Sequence, residues 1–206
     1  MNNKDIKKEK LIDSYEKNRS MMIQQGYEEH ICTISIIKAN LMALVTAGPI
    51  AVICFIMYMN KWQGISFSFS KNSIKLLIIY LAMIFACFAI HEIIHGITWG
   101  IFCKNKWKSI HLGVMWSELT PYCHCKEPLR FGGYILGGLM PLLILGIGFF
   151  LISYFTGNVG LMFLSLINIL GAGGDTTIAL MLLKYRKAYI VDHPTECGFV
   201  AFTKAS

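Results

Sequence analysis

Charged side chains are scarce in this chain of 206 residues, where Asp, Glu, Lys and Arg make up only 15%. Soluble domains carry about 25% charged residues, so this chain has too little charge to cover a water-facing surface. Hydrophobic residues reach 55%, which argues against a disordered chain. The seven cysteines are scattered, and Cys54 and Cys87 lie inside apolar runs, unlike the cysteines of a secreted disulfide framework. The composition predicts a membrane protein.

The net charge of +7 does not indicate a nucleic-acid partner, because the basic residues lie between apolar blocks and form no single patch. The first 30 residues lack the features of a signal peptide, since they hold six basic and six acidic residues before any apolar run. They predict a solvated N-terminal arm. The lipid bilayer is therefore an expected partner, and nucleic acid is not.

Four stretches are long and apolar enough to cross a bilayer, which needs about 20 mostly apolar residues. They are residues 41–59, 76–102, 131–155 and 159–183. We therefore predict an all-α membrane protein with four transmembrane helices and a short cytoplasmic hairpin-like loop. Its parts are an N-terminal arm (1–38), a four-helix membrane domain (39–183) and a C-terminal tail (184–206).

The positions of Lys and Arg predict the orientation of these spans. Sixteen of them lie in the N-terminal arm, the loop 104–130 and the C-terminal tail, whereas three lie in the segment 61–75. The positive-inside rule places the richer segments in the cytoplasm. The prediction is a multi-pass protein of the cell membrane with both termini cytoplasmic.

Two acids lie within the spans, Glu92 and Asp175. An acid at mid-bilayer costs about 2.5–3.5 kcal/mol, so it marks a functional site by default. Glu92 belongs to the sequence His91-Glu92-Ile93-Ile94-His95, and residues i and i+4 share one face of a helix. Two imidazoles so spaced can bind one zinc ion, while Glu92 flanks them as the candidate general base. The alternative is a pair of buried histidines that form hydrogen bonds in a polar helix seam.

Asp175 is the candidate third metal ligand, because a catalytic zinc ion usually has three protein ligands. The second and fourth spans run in the same direction, and Asp175 lies at nearly the depth of His91 and His95. The stretch Gly171–Gly174 would allow close helix packing and break the helix there. A plain polar contact between helices is the alternative for Asp175. Asn168, on the same helical face, could bind the oxyanion or substrate, although an interhelical hydrogen bond is favoured.

The loop 103–130 is too long for a simple connection. Ile110, Leu112 and Val114 alternate with other residues, which predicts a hairpin whose edge could bind an extended substrate by strand addition. An ordinary surface loop is the alternative. Cys123-His124-Cys125, with His111, forms a rival metal site, but reduced and packed cysteines fit this spacing better. Near the C-terminus, Asp192-His193-Pro194 predicts a turn.

The ordered motifs resemble a known family. They are HEIIHG (91–96), LGVMW with LTPYCHCKEPL (within 112–129), LMP (139–141), GAGGD (171–175) and DHPTECGF (192–199). The set resembles the site-2-protease class of intramembrane zinc proteases and, more closely, the bacterial membrane family known as putative zincin peptidases. Site-2 proteases typically carry Pro-Asp-Gly or Leu-Asp-Gly, whereas this chain has Gly174-Asp175-Thr176. The resemblance implies His91, His95 and Asp175 as ligands of one zinc ion and Glu92 as general base.

The sequence thus predicts a membrane-embedded zinc metallopeptidase that cleaves a peptide bond in or near the membrane. The expected partner is a membrane protein or peptide substrate. An intramembrane metal transporter or sensor is one alternative, although it needs no Glu beside the first His. A catalytically inactive peptide-binding protein is another. Because four spans leave little protein around a site, a homo-dimer stays open.

Overall fold

The computed structural model describes residues 3–64, 73–115 and 120–204. The helices are α1 (Asn3–Gln24), α2 (Ile36–Trp62), α3 (Ser73–Phe102), α4 (Phe131–Pro141), α5 (Phe149–Thr156), α6 (Val159–Gly171) and α7 (Gly173–Leu182). The strands are β1 (Tyr27–Thr33), β2 (Ile110–Met115), β3 (Thr120–Cys125), β4 (Leu129–Arg130), β5 (Tyr189–Asp192) and β6 (Gly198–Lys204). A π-helical stretch, Leu142–Gly148, connects α4 to α5.

Three helices are long and apolar enough to cross a membrane, namely Ile37–Trp62, Ile74–Phe102 and Phe131–Thr156. Large apolar side chains such as Leu41 and Phe85 remain exposed along the first two, as expected of a surface that faces lipid. These helices coincide with the first three predicted spans. The structure is therefore consistent with a multi-pass membrane protein.

The fourth candidate span is a bent pair of helices. The axes of Val159–Gly171 and Gly173–Tyr185 differ by 43°, and the pair counts as a span only if the two helices are taken together. The bend lies at Ala172, inside the glycine-rich stretch that predicted a broken helix. α7 packs against α2 and α4, and α4 packs against α3. These contacts bring the residues after the bend close to α3.

The prediction of an all-α fold holds only in part, because the described residues are mostly helical but also form two small antiparallel sheets. The first is the hairpin of β2 and β3, in which Ile110 pairs with Cys125. This confirms the strand-like interpretation of the loop, although its turn, residues 116–119, lies outside the described residues. The second sheet has the order β1-β6-β5-β4 and joins the N-terminal arm to the C-terminal tail. Such pairing between distant segments leaves no local pattern in the sequence.

The N-terminal arm covers one face of the larger sheet. In α1, Tyr15 and Met22 pack against Val200 and Phe202 of β6. The hydroxyl of Tyr15 donates a hydrogen bond of 2.6 Å to the carboxylate of Glu29 in β1. The prediction of a solvated arm is therefore wrong for the buried side of α1, where Leu11, Tyr15 and Met22 make tertiary contacts, whereas residues such as Glu16 and Lys17 stay exposed.

Candidate metal centre

Two helices bring together three potential metal ligands. His91 and His95 lie one turn apart on α3, and Asp175 lies in the first turn of α7. The Nε2 atom of His91 is 3.0 Å from Oδ2 of Asp175, and the Nε2 atom of His95 is 3.4 Å from Oδ1. One ligand atom from each residue lies within 4.8 Å of the others. Three atoms this close can share one zinc ion at the usual distance of about 2.0–2.1 Å.

The hydrogen bond on the far side of His95 favours a cation between its ring and Asp175. The Nδ1 atom of His95 lies 2.8 Å from the carbonyl oxygen of Gly137, which can only accept, so Nδ1 carries the proton. In the neutral ring, Nε2 then presents a lone pair to a carboxylate oxygen of Asp175. Two acceptors that face each other are stabilised by a positive charge between them. The donor set therefore fits a divalent metal ion.

The backbone of Gly137 approaches α3 closely because this residue has no side chain. A Cβ atom at this position would lie 2.1 Å from Cδ1 of Trp99. The Trp99 ring stacks on His95, with centroids 5.0 Å apart and planes inclined by 15°. Its indole nitrogen donates a hydrogen bond of 2.9 Å to the carbonyl oxygen of Tyr134. Gly137 and Trp99 thus fix the orientation of the His95 ring.

A similar close contact holds Asp175 in place. A Cβ atom at Gly173 would lie 2.4 Å from the Cβ atom of Ala43 in α2, so α7 begins in direct contact with α2. The hydroxyl of Thr46 is 2.7 Å from that of Thr176, the residue after Asp175. The Asp175 side chain itself keeps 25% of its surface exposed. The metal group therefore has an open side, as a catalytic zinc site requires.

Glu92 lies beside this group. Its carboxylate interacts electrostatically with His91, His95 and Asp175, and it also lies near the backbone N–H of Cys123 in β3. The side chain is half-buried. Because it lies beside the metal group and outside the three-ligand set, Glu92 stays the candidate general base.

Residues 84–190 match the family model described as Putative zincin peptidase, which covers just over half of the chain. The chain belongs to this family. The matched region contains all three residues of the metal group and Glu92. Membership of the zincin peptidase family indicates a metallopeptidase that uses zinc. No curated protein matches the chain, and no solved structure does.

Within the region that matches the zincin peptidase family, the edge of β3 that faces away from β2 lies against the candidate site. The backbone N–H of Cys125 donates a hydrogen bond of 2.6 Å to Asp192, on the side of β3 away from β2. N–H groups two residues apart on a strand point the same way, so that of Cys123 also points outward, toward Glu92. The edge of β3 therefore runs past the candidate general base.

A buried polar network connects this edge to the ring that stacks on His95. Asp192 accepts hydrogen bonds from the Cys125 backbone and from the hydroxyl of Tyr134. Tyr134 in turn stacks on Trp99, with ring centroids 5.4 Å apart. From the sequence alone, Asp192 belongs to a predicted turn, and no pattern distinguishes Tyr134 or Gly137. One signal was available for Trp99, which follows His95 by four residues and so shares its helical face.

Asn168 is buried in α6, where its amide nitrogen donates a hydrogen bond of 2.8 Å to the carbonyl oxygen of Leu164. Among the described residues its side-chain oxygen is the one buried polar side-chain atom without a partner. The predicted oxyanion role therefore stays a prediction.

Cys123-His124-Cys125 does not form a second metal group. In the described parts of the chain, the only metal-like cluster of His, Cys, Asp and Glu is that of His91, His95 and Asp175. Burial raises the pKa of Cys123, and the contact with Cys103 together with burial raises that of Cys125. A raised pKa disfavours the thiolate form that zinc binds. The favoured interpretation, packed and reduced cysteines, agrees with this environment.

Proposed function

We propose that this protein is a membrane-embedded zinc metallopeptidase that hydrolyses a peptide bond in or beside the membrane. The observation that carries the proposal is the convergence of His91, His95 and Asp175 within 4.8 Å, with Glu92 next to them. Zinc bound there would supply a Lewis acid that activates water and polarises the carbonyl group of the substrate.

The side chains of this protein would perform the proton transfers. Glu92 takes a proton from the attacking water, whose hydroxide adds to the carbonyl carbon of the substrate. It then delivers that proton to the leaving nitrogen as the C–N bond breaks. The sum is the addition of one water molecule across the peptide bond, with no change in oxidation state. Asn168 remains a candidate contact for the developing oxyanion or the substrate.

The depth of the group supports cleavage within or at the edge of the bilayer. His95 precedes the end of α3 at Phe102 by seven residues, which corresponds to roughly 10 Å along the helix. His91 lies about 6 Å deeper on the same scale. The positive-inside rule assigns this end of α3 to the cytoplasm, along with both chain termini. Water would reach the group from that side.

The outer edge of β3 is the proposed binding place for the substrate. Helical peptide bonds are shielded by their own hydrogen bonds, so an intramembrane substrate must be held in extended form before attack. To pair with β3 as an added strand, a segment would have to replace the Glu92 carboxylate at the Cys123 N–H, and it would then pass beside that carboxylate. The substrate class is therefore a membrane protein or peptide with an unwound segment.

Replacing Glu92 by glutamine tests the proposal. The variant should keep one zinc ion per chain but lose cleavage by at least about 100-fold, since a general base contributes about 10²–10⁴ to the rate. Membrane peptides from cells with the native chain and with Glu92→Gln should be compared by quantitative proteomics. Glu196→Gln, an exposed acid in the turn before β6, is the matched control and should behave as native.

Equal peptide patterns in the native and Glu92→Gln cells would reject the peptidase proposal. Zinc flux into proteoliposomes that does not depend on Glu92 would instead support a transporter.

A further inference from the structure

A basic cleft opens beside the ends of two candidate spans. It has a volume of about 940 Å³ and lies between α1 and the segments that follow α3 and precede α4. Six cationic side chains line it, from Lys10 and Lys17 on α1 to Lys104, Lys108, Lys126 and Arg130 on the opposite wall. The proposed peptidase mechanism uses none of them.

The positive charge of this cleft is not neutralised by carboxylates. Glu127 is the one acid in its lining, and its carboxylate accepts hydrogen bonds from Ser109 (2.6 Å) and from the backbone N–H of Lys104 (2.7 Å). No ion pair within the described ranges involves any of the six cations. The cleft therefore holds an excess of positive charge that an anionic ligand could balance.

The floor of the cleft is apolar. Leu11, Met21 and Met22 contribute from α1, and Phe102 contributes from the end of α3. Phe102 is also the last residue of a candidate membrane span and is 46% exposed. A ligand that fits both the cationic wall and this floor carries a negative group on an apolar body.

The position of the cleft selects a lipid over a soluble anion. It is lined by the last residue of α3 and by Gly133 in the first turn of α4, so it lies where two candidate spans leave the bilayer. Trp107, which is half-exposed in the turn after α3, marks the same level, since Trp is enriched at membrane interfaces. This is the depth of phospholipid headgroups.

We propose that this cleft binds an anionic phospholipid, with its phosphate at the basic wall and an acyl chain against Phe102 and Met21. Basic pockets at the ends of transmembrane helices are suited to such headgroups. The side-chain amide of Asn18 in α1 donates a hydrogen bond of 2.6 Å to the carbonyl oxygen of Lys126, and so ties the two walls together. A bound lipid would strengthen this connection between α1 and the membrane domain.

The test measures binding of phosphatidylglycerol to the purified full-length chain by native mass spectrometry in a neutral detergent. The double variant Lys108→Gln/Lys126→Gln removes two cations from the cleft. Lys184→Gln/Lys187→Gln is the control, because it removes the same charge from exposed positions just after α7, at the same end of the bundle. We expect about tenfold weaker binding or more in the cleft variant, and native binding within twofold in the control.

Two further arms separate the lipid from other ligands. Inorganic phosphate and zwitterionic phosphatidylcholine should not compete with phosphatidylglycerol, and a Glu-rich peptide should not displace it. A second double variant of the same wall, Lys104→Gln/Arg130→Gln, should weaken lipid binding as much as the first. Agreement between the two variants distinguishes loss of the binding site from misfolding of one variant. Equal loss in the control variant, displacement by phosphate or peptide, or no lipid binding by the native chain would overturn the proposal.

Discussion

Replacing Gly137 by alanine should weaken zinc binding without changing any metal ligand. The added Cβ atom would lie 2.1 Å from Cδ1 and 2.3 Å from Nε1 of the Trp99 ring, distances that real contacts do not reach. Either Trp99 must leave its position or α4 must move away from α3. Both movements disturb His95, which stacks on Trp99 and donates its Nδ1 proton to the carbonyl oxygen of Gly137.

The size of the effect follows from what the methyl group disrupts. Partners that orient a metal-binding histidine contribute about 10–100-fold to metal affinity. Forcing an extra carbon into a well-packed contact costs about 1–3 kcal/mol of folding stability. We therefore expect zinc affinity to fall by about 10–100-fold in Gly137→Ala, together with a lower thermal midpoint.

The neighbouring residue provides a matched control. A Cβ atom at Gly138 would meet nothing within 4 Å, so Gly138→Ala adds the same methyl group to the same helix without a clash. Zinc affinity of the native chain and both variants should be measured in detergent by competition with a chromophoric chelator. Native affinity in Gly137→Ala, or an equal loss in Gly138→Ala, would refute the inferred role of the close contact between α3 and α4.

Three further predictions concern other parts of the structure. Gly173→Ala should displace Asp175 and reduce zinc affinity by about tenfold. Gly174→Ala should bind zinc normally, because a Cβ atom at Gly174 would meet nothing within 4 Å. Equal zinc affinities of the two variants, measured with the same chelator, would contradict this. Cys123→Pro removes an outward N–H of β3 and should abolish cleavage while zinc stays bound. Cys123→Ala keeps this N–H and should cleave normally when membrane peptides are compared. Cleavage by the proline variant would rule out strand addition at this edge. Burial lowers the pKa of His124, so the unfolded chain binds the proton before the folded chain does and the folded protein should lose stability as the pH falls below about 6.5. The free energy of unfolding should be measured by chemical denaturation at pH 7.5 and at pH 5.5. The difference between the two values should be smaller in His124→Gln than in the native chain, and an equal difference would contradict this.

Helices and strands differ in how much of this fold can be predicted from the sequence. Each span is a continuous apolar run, so its position is encoded locally and the predicted limits agree with the long helices to within a few residues. The larger sheet depends on pairs such as Thr33 with Gly198, which come from opposite ends of the chain. The charged residues of β1 and the short length of β5 hide these strands from any local pattern.

In the candidate site, the metal ligands can be predicted from the sequence, whereas the residues that orient them cannot. His91, His95 and Asp175 can be found because ionisable residues are conspicuous in apolar spans, and helical geometry relates their depths. Gly137 has no such signal, because a glycine that accepts a hydrogen bond through its backbone looks like any packing glycine. Its role depends on the approach of α4 to α3, which is a tertiary property.

The most direct test of the central claim is the zinc content of the purified chain in detergent, measured by elemental mass spectrometry after removal of loosely bound metal. We expect one zinc ion per chain in the native protein and in Glu92→Gln. We expect almost no zinc in the double variant His91→Ala/His95→Ala, although that variant should keep its helical content. Equal zinc in this variant and the native protein would contradict the metal centre on which the proposed activity rests.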